Sequence, residues 1–169
     1  MLIRCEHRRG TEILGDWHAL NEVVVSRGAS VHPVHVSASV DGMLLTTFVA
    51  DGLIASTPTG STAYALAAGG PILPPTLRNI LLIPIAPHLS VDRAVVLSEG
   101  SAVTILVRDG SQAVFSVDGQ PPVVLEDNDL VEVRAGDYGV HFVRFGDPGY
   151  FYRNLTTYME QNPSATGAS

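Results

Sequence analysis

Residues 34–49 have the sequence VHVSASVDGMLLTTFV, in which two apolar runs stand on either side of an Asp-Gly pair. Asp-Gly favours a tight hairpin turn because both of its residues tolerate positive φ. The same pair occurs at Asp109-Gly110 and at Asp118-Gly119. Each pair is therefore predicted to join two neighbouring strands, and the chain is predicted to form a meander of β-hairpins.

The rest of the chain continues this pattern of short apolar runs. Sixteen glycines and eleven prolines interrupt runs rich in Val, Ile and Leu, which is typical of an antiparallel β-domain. The fold class is therefore predicted to be mainly β. The predicted strands are Leu2–Cys5, Glu22–Ser26, Val34–Val40, Met43–Val49, Ile80–Ile85, Ala94–Leu97, Ala102–Val107, Ala113–Val117, Val123–Leu125, Leu130–Arg134 and Val140–Phe145.

One short helix is predicted in the middle of the chain. Between Thr57 and Ile72 a polar turn rich in hydroxyl groups leads into an alanine-rich segment, which stops at Gly69-Gly70-Pro71. Glycine and proline are strong helix terminators, so the helix is expected to end there.

A second helix is predicted near the C-terminus. Phe151, Leu155, Tyr158 and Met159 have a spacing that places apolar groups on one helix face, and such a face needs a surface to pack against. Residues 162–169 are rich in Ser, Ala, Thr and Gly and are expected to be disordered.

Composition excludes several functional classes. Hydrophobic residues make up 46% of the 169, enough for a sizeable core, and seventeen acidic against ten basic side chains give a formal charge of −7. This balance argues against nucleic acid or an anionic membrane as the main partner. The single cysteine forbids an internal disulfide and favours an intracellular protein. No apolar run approaches the roughly 18 residues of a membrane-spanning helix, and no signal-peptide pattern follows Met1. We therefore expect an intracellular protein. Of the two compartments, the cytoplasm is preferred to the mitochondrial matrix, but the sequence does not decide between them.

Two segments carry candidate binding chemistry. Residues 51–72 place a carboxylate, several hydroxyls and a glycine-containing turn ahead of a helix start, where free N–H groups attract phosphate. An ordinary helix cap is the alternative, and the Walker spacing is absent. Asn21-Glu22, ahead of three valines, could bind hydroxyl and amide groups of a ligand, or could face water at a strand edge. His32 and His35 do not have the surroundings of a zinc site, so no metal ligand is predicted. No nucleophile elbow occurs, so no catalytic residue is predicted.

Three motifs, in their order along the chain, closely resemble the C-terminal domain of NAD kinases. They are LNEVV at residues 20–24, DGLIASTPTGSTAY at residues 51–64 with AGGPI at 68–72, and SVDGQ at residues 116–120. NAD kinases phosphorylate the adenosine ribose 2′-hydroxyl of NAD to give NADP. Residues 84–88, PIAPH, also resemble a stretch of that family, although Ala94 stands where the family has a proline. The resemblance implies an antiparallel, β-sandwich-like fold with one short helix after the second motif and a C-terminal helix.

The resemblance also implies a set of NAD contacts. Asn21 and Glu22 would hold the ribose and amide side of NAD, and Tyr64 would offer its ring for stacking. Asp51 would reach NAD bound by a neighbouring subunit, which implies a homodimer or homotetramer. NAD or NADH would be the substrate, with ATP and Mg²⁺ or another divalent cation as cofactors. The implied binding residues are Asn21, Glu22, His32, Asp51, Thr62, Ala63, Tyr64, Ala67, Asp118 and Gln120.

One family signature has no counterpart in this sequence. The Gly-Gly-Asp-Gly loop, whose aspartate is the proposed base of the family, does not occur. That loop belongs to the family's N-terminal α/β domain, so residues 1–161 are expected to correspond to the NAD-binding, oligomerising C-terminal domain. The isolated chain is then expected to be inactive. Two alternatives stay open: a non-catalytic NAD(P)-binding or regulatory module, and a lipid kinase of the same superfamily, against which the length of the motifs argues.

Overall fold

A computed structural model describes residues 1–88, 91–143, 145 and 149–155 of the chain. Within these residues the chain forms twelve strands, a short 3₁₀ turn at Gly60–Thr62 and two short α-helices. The elements are β1 (Ile3–Arg9), β2 (Glu12–Ala19), β3 (Glu22–Ser26), β4 (Val34–Val40), β5 (Met43–Ala50), β6 (Gly52–Ser56), α1 (Tyr64–Ala67), β7 (Asn79–Ile85), β8 (Val95–Ser98), β9 (Val103–Arg108), β10 (Ala113–Val117), β11 (Val123–Leu125), β12 (Asp129–Ala135) and α2 (Tyr150–Arg153).

The strands form two six-stranded antiparallel sheets. The first has the order β2-β1-β12-β9-β4-β5, and the second has the order β11-β10-β3-β6-β7-β8. Alternate residues of most strands are buried, and they form one apolar core to which both sheets contribute, for example Val36 and Ile105 from the first sheet with Val25 and Phe115 from the second. Alternation of this kind is typical of two sheets packed face to face. The predicted mainly β, sandwich-like fold is confirmed.

The three Asp-Gly pairs have different roles in the sandwich. Asp41-Gly42 has positive φ at both residues, 52° and 78°, and joins the paired strands β4 and β5 in a hairpin, as predicted. Asp118-Gly119 lies between β10 and β11, which also pair. The hairpin predicted at Asp109-Gly110 is wrong. Its turn closes locally, since the Ser111 N–H donates to the Arg108 carbonyl, but β9 and β10 belong to different sheets. This turn carries the chain across the sandwich.

Two strands were not predicted, and one predicted strand is wrong. The edge strand β2 (Glu12–Ala19) is mostly exposed and contains charged residues, so it has no continuous apolar run. The strand β6 (Gly52–Ser56) is buried along its whole length, but it lies in the segment 51–72, which was considered for its binding chemistry and not as a strand. Residues 140–143 and 145, predicted as part of a strand, are irregular and exposed.

The predicted short helix is confirmed as the 3₁₀ turn and α1, which are separated only by Ala63. It ends before Gly69, whose φ of +86° stops the helix. Ala65 of α1 packs on the outer face of the second sheet, with Val24, Ile54 and Ile83. The helical segment therefore covers the centre of that sheet.

The C-terminal helix is confirmed as the four-residue α2, Tyr150–Arg153. Tyr158, Met159 and the predicted disordered tail lie outside the described residues. None of the helices in the described part of the chain is long and apolar enough to cross a membrane.

Candidate functional site

The candidate site is built around the backbone that leads into the central strand β3. The carbonyl of Leu20 accepts a hydrogen bond from the Thr57 hydroxyl at 2.6 Å. The carbonyl of Asn21 accepts bonds from the Thr57 N–H at 2.8 Å and from the Ser56 hydroxyl at 3.1 Å. Because Glu22 pairs with Ser56 across the sheet, the end of β6 holds the carbonyl side of residues 20–22.

The Asp118 carboxylate holds the N–H side of the same segment. Its Oδ2 accepts the Leu20 N–H at 2.6 Å, and its Oδ1 accepts the N–H groups of Asn21 at 2.8 Å and of Glu22 at 3.0 Å. The Asp118 N–H in turn donates to the Glu22 carbonyl at 3.0 Å. Three successive N–H groups that converge on one carboxylate form a concave anion site within the protein itself. Residues 20–22 are thus held from both sides, by Asp118 in the turn after β10 and by Ser56 and Thr57 at the end of β6. We call this arrangement the clamp.

The 3₁₀ turn closes over this segment. The Gly60 N–H donates to the Thr57 hydroxyl oxygen at 3.0 Å. The Ser61 hydroxyl donates to the Pro58 carbonyl at 2.7 Å and accepts the Leu73 N–H at 2.9 Å. Thr57 and Ser61 are fully buried, so their hydroxyls hold the polar loop in place from inside the protein. The result is a fixed position for the start of α1.

The side chain of Glu22 lies under the start of α1. Glu22 is 8% exposed, and its Oε2 has no hydrogen-bond partner among the described residues. Burial raises the pKa of Glu22 to about 7, the Asp118 charge acts in the same direction, and a hydrogen bond from the Tyr64 N–H opposes both. A buried acceptor without a partner is costly, and a ligand hydroxyl or amide donor would satisfy it.

The other predicted site residues divide into two groups. Thr62, Ala63, Tyr64 and Ala67 lie on the helical segment, where Tyr64 is 45% exposed. Gln120 is exposed just after the Asp118 turn. The elements that carry these residues contact Asn21 and Glu22. The Tyr64 N–H bonds to Glu22, and Asp118 accepts the N–H groups of Asn21 and Glu22.

Asp51 and His32 lie elsewhere. Asp51 precedes β6, five residues and about 17 Å of extended chain from Ser56. Its carboxylate forms an ion pair with Arg27 at 3.0 Å. His32 is exposed in the loop after β3. The structure therefore separates these two residues from Asn21 and Glu22 along β3 and β6.

Three of the residues that hold the site, on the β6 side, were not singled out from the sequence. Ser56, Thr57 and Gly60 lie within a quoted motif, but their roles depend on contacts with Leu20 and Asn21, more than 30 positions away. The only sequence signal is a cluster of small and hydroxylated residues directly after an apolar run. No group of three or more His, Cys, Asp or Glu side chains that could hold a metal is found in the described part of the chain.

A sequence model of the ATP-NAD kinase C-terminal domain matches residues 20–145. The chain belongs to the NAD kinase family. The match includes the clamped segment at Asn21-Glu22, the helical segment and the Asp118 turn. The predicted family is thus confirmed, and the site described above lies within the family's domain.

Individual relatives agree with this assignment. The chain is 41% identical over 161 residues to an NAD kinase of Chloroflexus aurantiacus, which covers 95% of this chain and 58% of the relative. It is 40% identical over 151 residues to an NAD kinase of Acidobacterium capsulatum, covering 89% of this chain and 53% of the relative. The chain therefore spans little more than half the length of these NAD kinases.

Solved structures of NAD(H) kinases share the fold. Yeast NADH kinase, solved in complex with NADH, superimposes with a TM-score of 0.74 at 34% identity, over 79% of this chain and 39% of that one. An NAD kinase from Archaeoglobus fulgidus, solved in complex with ATP, superimposes with a TM-score of 0.73 at 29% identity, over 92% of this chain and 58% of that one. The two-sheet architecture is thus shared with the matched part of these NAD(H) kinases.

Proposed function

We propose that this chain supplies the NAD(H)-binding surface for ATP-dependent phosphorylation of the adenosine ribose 2′-hydroxyl of NAD or NADH, giving NADP or NADPH. The observation that carries the proposal is the unpartnered, buried Oε2 of Glu22 beside Asn21. A ribose hydroxyl is a donor that would satisfy this oxygen. The family relationship and the NADH bound to the yeast relative support the same ligand.

Each residue near Glu22 has a role in this proposal. The carboxamide of Asn21 can donate and accept hydrogen bonds to amide and hydroxyl groups of the ligand. The half-exposed ring of Tyr64 offers a face on which a base or nicotinamide ring can stack. Ala63 and Ala67 are small, so they let a flat ring approach the helical segment closely. Thr62 and Gln120 add polar groups at the edges.

The phosphoryl donor is proposed to be ATP as its magnesium complex. Phosphoryl transfer depends mainly on positioning and on neutralisation of the phosphate charge. The metal is assigned to the donor's phosphates, whose β- and γ-oxygens it bridges in phosphoryl transfer. What these residues contribute is orientation of the acceptor hydroxyl, which lowers the entropic part of the barrier. No residue of the chain is assigned as the base.

Asp51 and His32 are proposed to contact a nucleotide held by a second copy of the chain. The distance of Asp51 from Glu22 along β6 supports this assignment, as does the exposure of His32. A homodimer or homotetramer is the assembly that such contacts require. The intracellular location predicted from the sequence stays a prediction.

Calorimetry with NADH as the titrant tests the binding proposal. Asn21→Ala and Tyr64→Ala should each raise the Kd at least about tenfold, the loss of one good contact. Tyr138→Ala, at another exposed tyrosine (63% exposed), is the matched control and should leave the Kd unchanged. No binding by the wild-type chain at millimolar NADH, or equal effects of all three changes, would contradict the proposal.

An activity assay on the same chain distinguishes the enzyme hypothesis from the hypothesis of a non-catalytic binding module. After NADH binding is established, the chain is incubated with NAD, ATP and magnesium, and NADP is measured. Formation of NADP would assign the whole reaction to this chain. Binding without NADP would leave it as the nucleotide-binding part of the reaction.

A further inference from the structure

The resemblance placed Asp118 among the residues that contact NAD, but its hydrogen bonds suggest another role. Both of its carboxylate oxygens are directed at backbone N–H groups: Oδ2 at Leu20, and Oδ1 at Asn21 and Glu22. Its own N–H is bound to the Glu22 carbonyl. Asp118 therefore has four hydrogen bonds to the segment that carries the candidate ligand contacts.

The backbone of Asp118 is adapted to this contact. Its φ is +48°, in the left-handed region, which Asp and Asn tolerate better than other side chains. Gly119 follows with φ +71°, and the Gln120 N–H closes the turn on the Val117 carbonyl at 2.9 Å. This turn conformation directs the carboxylate back towards β3 instead of into solvent.

We propose that Asp118 is a positioning residue, which holds Asn21 and Glu22 in the orientation that NAD(H) binding needs and does not itself contact the nucleotide. This inference rests on the proposed function. Charge-assisted bonds to N–H groups are about twice as strong as neutral ones, so the carboxylate fixes the local backbone. With the carbonyls of residues 20 and 21 held by Thr57 and Ser56, the backbone fixes the directions in which the Asn21 and Glu22 side chains leave the chain.

Asp118 also acts on Glu22 through its charge. The groups that face the Glu22 carboxyl are the Asp118 carboxylate and the Tyr64 N–H. Ser56 is the cross-strand partner of Glu22 on β6. Among the described residues no cationic side chain contributes to its environment. Removing the charge of Asp118 should therefore lower the pKa of Glu22 and extend its ionised form to lower pH.

Asp118→Asn tests the proposal, with Asp41→Asn as a matched control. Asp41 also precedes a glycine at positive φ, 52°. Its N–H likewise donates to a backbone carbonyl, that of Ala102 just before β9, at 2.9 Å, and its carboxylate accepts the Ala102 N–H at 2.8 Å. Asp41 lies in the first sheet, away from the site, so it controls for the general effect of losing such a turn. Asp118→Gly, which tolerates the same φ, removes every side-chain bond.

Three measurements are made on the wild-type chain and each variant: amide hydrogen exchange at residues 20–22, the Kd for NADH, and the dependence of that Kd on pH. In Asp118→Asn we expect the exchange rate of these amides and the Kd for NADH each to rise at least tenfold. The pH at which NADH binding is half lost on acidification should move to lower pH. In Asp118→Gly exchange and the Kd should rise further. Asp41→Asn should change none of these quantities. A purely structural role would not move the pH midpoint.

Two outcomes overturn this proposal alone. If the Kd rises while exchange at residues 20–22 is unchanged, Asp118 contacts the ligand directly. If exchange rises while the Kd is unchanged, NADH binding does not need the clamp. A wild-type chain that does not bind NADH would contradict the proposed function as well, so the two failures are distinguishable.

Discussion

Gly60 lies directly against the backbone of Asn21: a methyl group at position 60 would come within 2.1 Å of the Asn21 carbonyl oxygen and 2.6 Å of the Ser56 hydroxyl oxygen. Gly60 is not among the glycines with positive φ. It is required by space and not by backbone conformation. This contact lets the 3₁₀ turn approach β3 closely enough for α1 to cover Glu22.

Gly60→Ala should therefore destabilise the protein and weaken the site together. The added methyl group cannot be accommodated by rotation of a flexible side chain, because its nearest neighbour is backbone. Overpacking of this kind costs about 1–3 kcal/mol, and urea denaturation measures it. Gly100→Ala is the control, since nothing lies within 4 Å of a methyl group there. Similar losses in the two variants would show that close packing at Gly60 is not the cause.

Glu22→Gln should change how stability depends on pH. The pKa of Glu22 is raised to about 7 by burial and by Asp118, whereas that of an unfolded glutamate is about 4.3. The folded state thus binds more protons between these values, and its stability falls as pH rises from about 4.5 to 7. Glutamine removes this penalty while it can still accept the Tyr64 N–H.

Relative to wild type, Glu22→Gln should gain about 1–3 kcal/mol between pH 5 and pH 8. Denaturant titrations at the two pH values give this difference. Glu12→Gln, at an exposed position of β2, should show no such gain. A constant difference between Glu22→Gln and wild type across this range would mean that Glu22 titrates normally.

Much of the fold could be predicted from the sequence because its determinants are local. Asp41-Gly42 and its flanking runs predict the hairpin correctly, and Gly69-Gly70 correctly ends the helical segment. The strand β2 was not predicted, because an edge strand that is mostly exposed does not need alternating apolar residues. The turn at Asp109-Gly110 was misassigned because turn chemistry does not specify whether the next strand pairs or crosses to the opposite sheet.

The residues of the candidate site could be predicted, but the hydrogen bonds that hold them and the raised pKa of Glu22 could not. Asn21, Glu22, Tyr64 and Asp118 were named through a family resemblance, and the structure brings them together. The clamp on residues 20–22 joins positions almost 100 apart in sequence, so no local pattern could indicate it. Likewise, the raised pKa of Glu22 follows from burial and a neighbouring charge, which exist only in the folded chain.

Asp129→Asn should destabilise the first sheet and reduce its sensitivity to acid. Asp129 is fully buried and accepts hydrogen bonds from Arg9 at 2.8 Å and from the Glu126 N–H at 2.9 Å, with His7 Nε2 also at 2.9 Å. Burial would raise the pKa of this carboxyl, but these three partners outweigh it and hold the pKa well below its usual range. The stabilisation is present above the unfolded pKa of about 3.9 and is lost as pH falls below it.

At pH 7 the Asp129→Asn variant should lose about 3–5 kcal/mol, because Arg9 and His7 lose a buried partner. Its stability should then fall less steeply than that of wild type between pH 5 and pH 2. Thermal unfolding at several pH values measures both effects. Asp92→Asn, at an exposed carboxylate 3.4 Å from Arg93, should change neither. Equal acid sensitivity of wild type and Asp129→Asn would assign the acid transition to other carboxyls.

Thr57→Val should separate the hydroxyl of Thr57 from its shape. Thr57 is fully buried, and its hydroxyl donates to the Leu20 carbonyl and accepts the Gly60 N–H. Valine fills the same space but leaves both backbone groups without this partner, at a cost of about 2–4 kcal/mol. Thr57→Ser keeps the hydroxyl and loses one methyl group, so it should lose only about 1 kcal/mol and retain NADH affinity. Denaturation and calorimetry on the two variants check this order, and a valine variant as stable as the serine variant would show that packing, not the hydrogen-bond bridge, holds the 3₁₀ turn on β3.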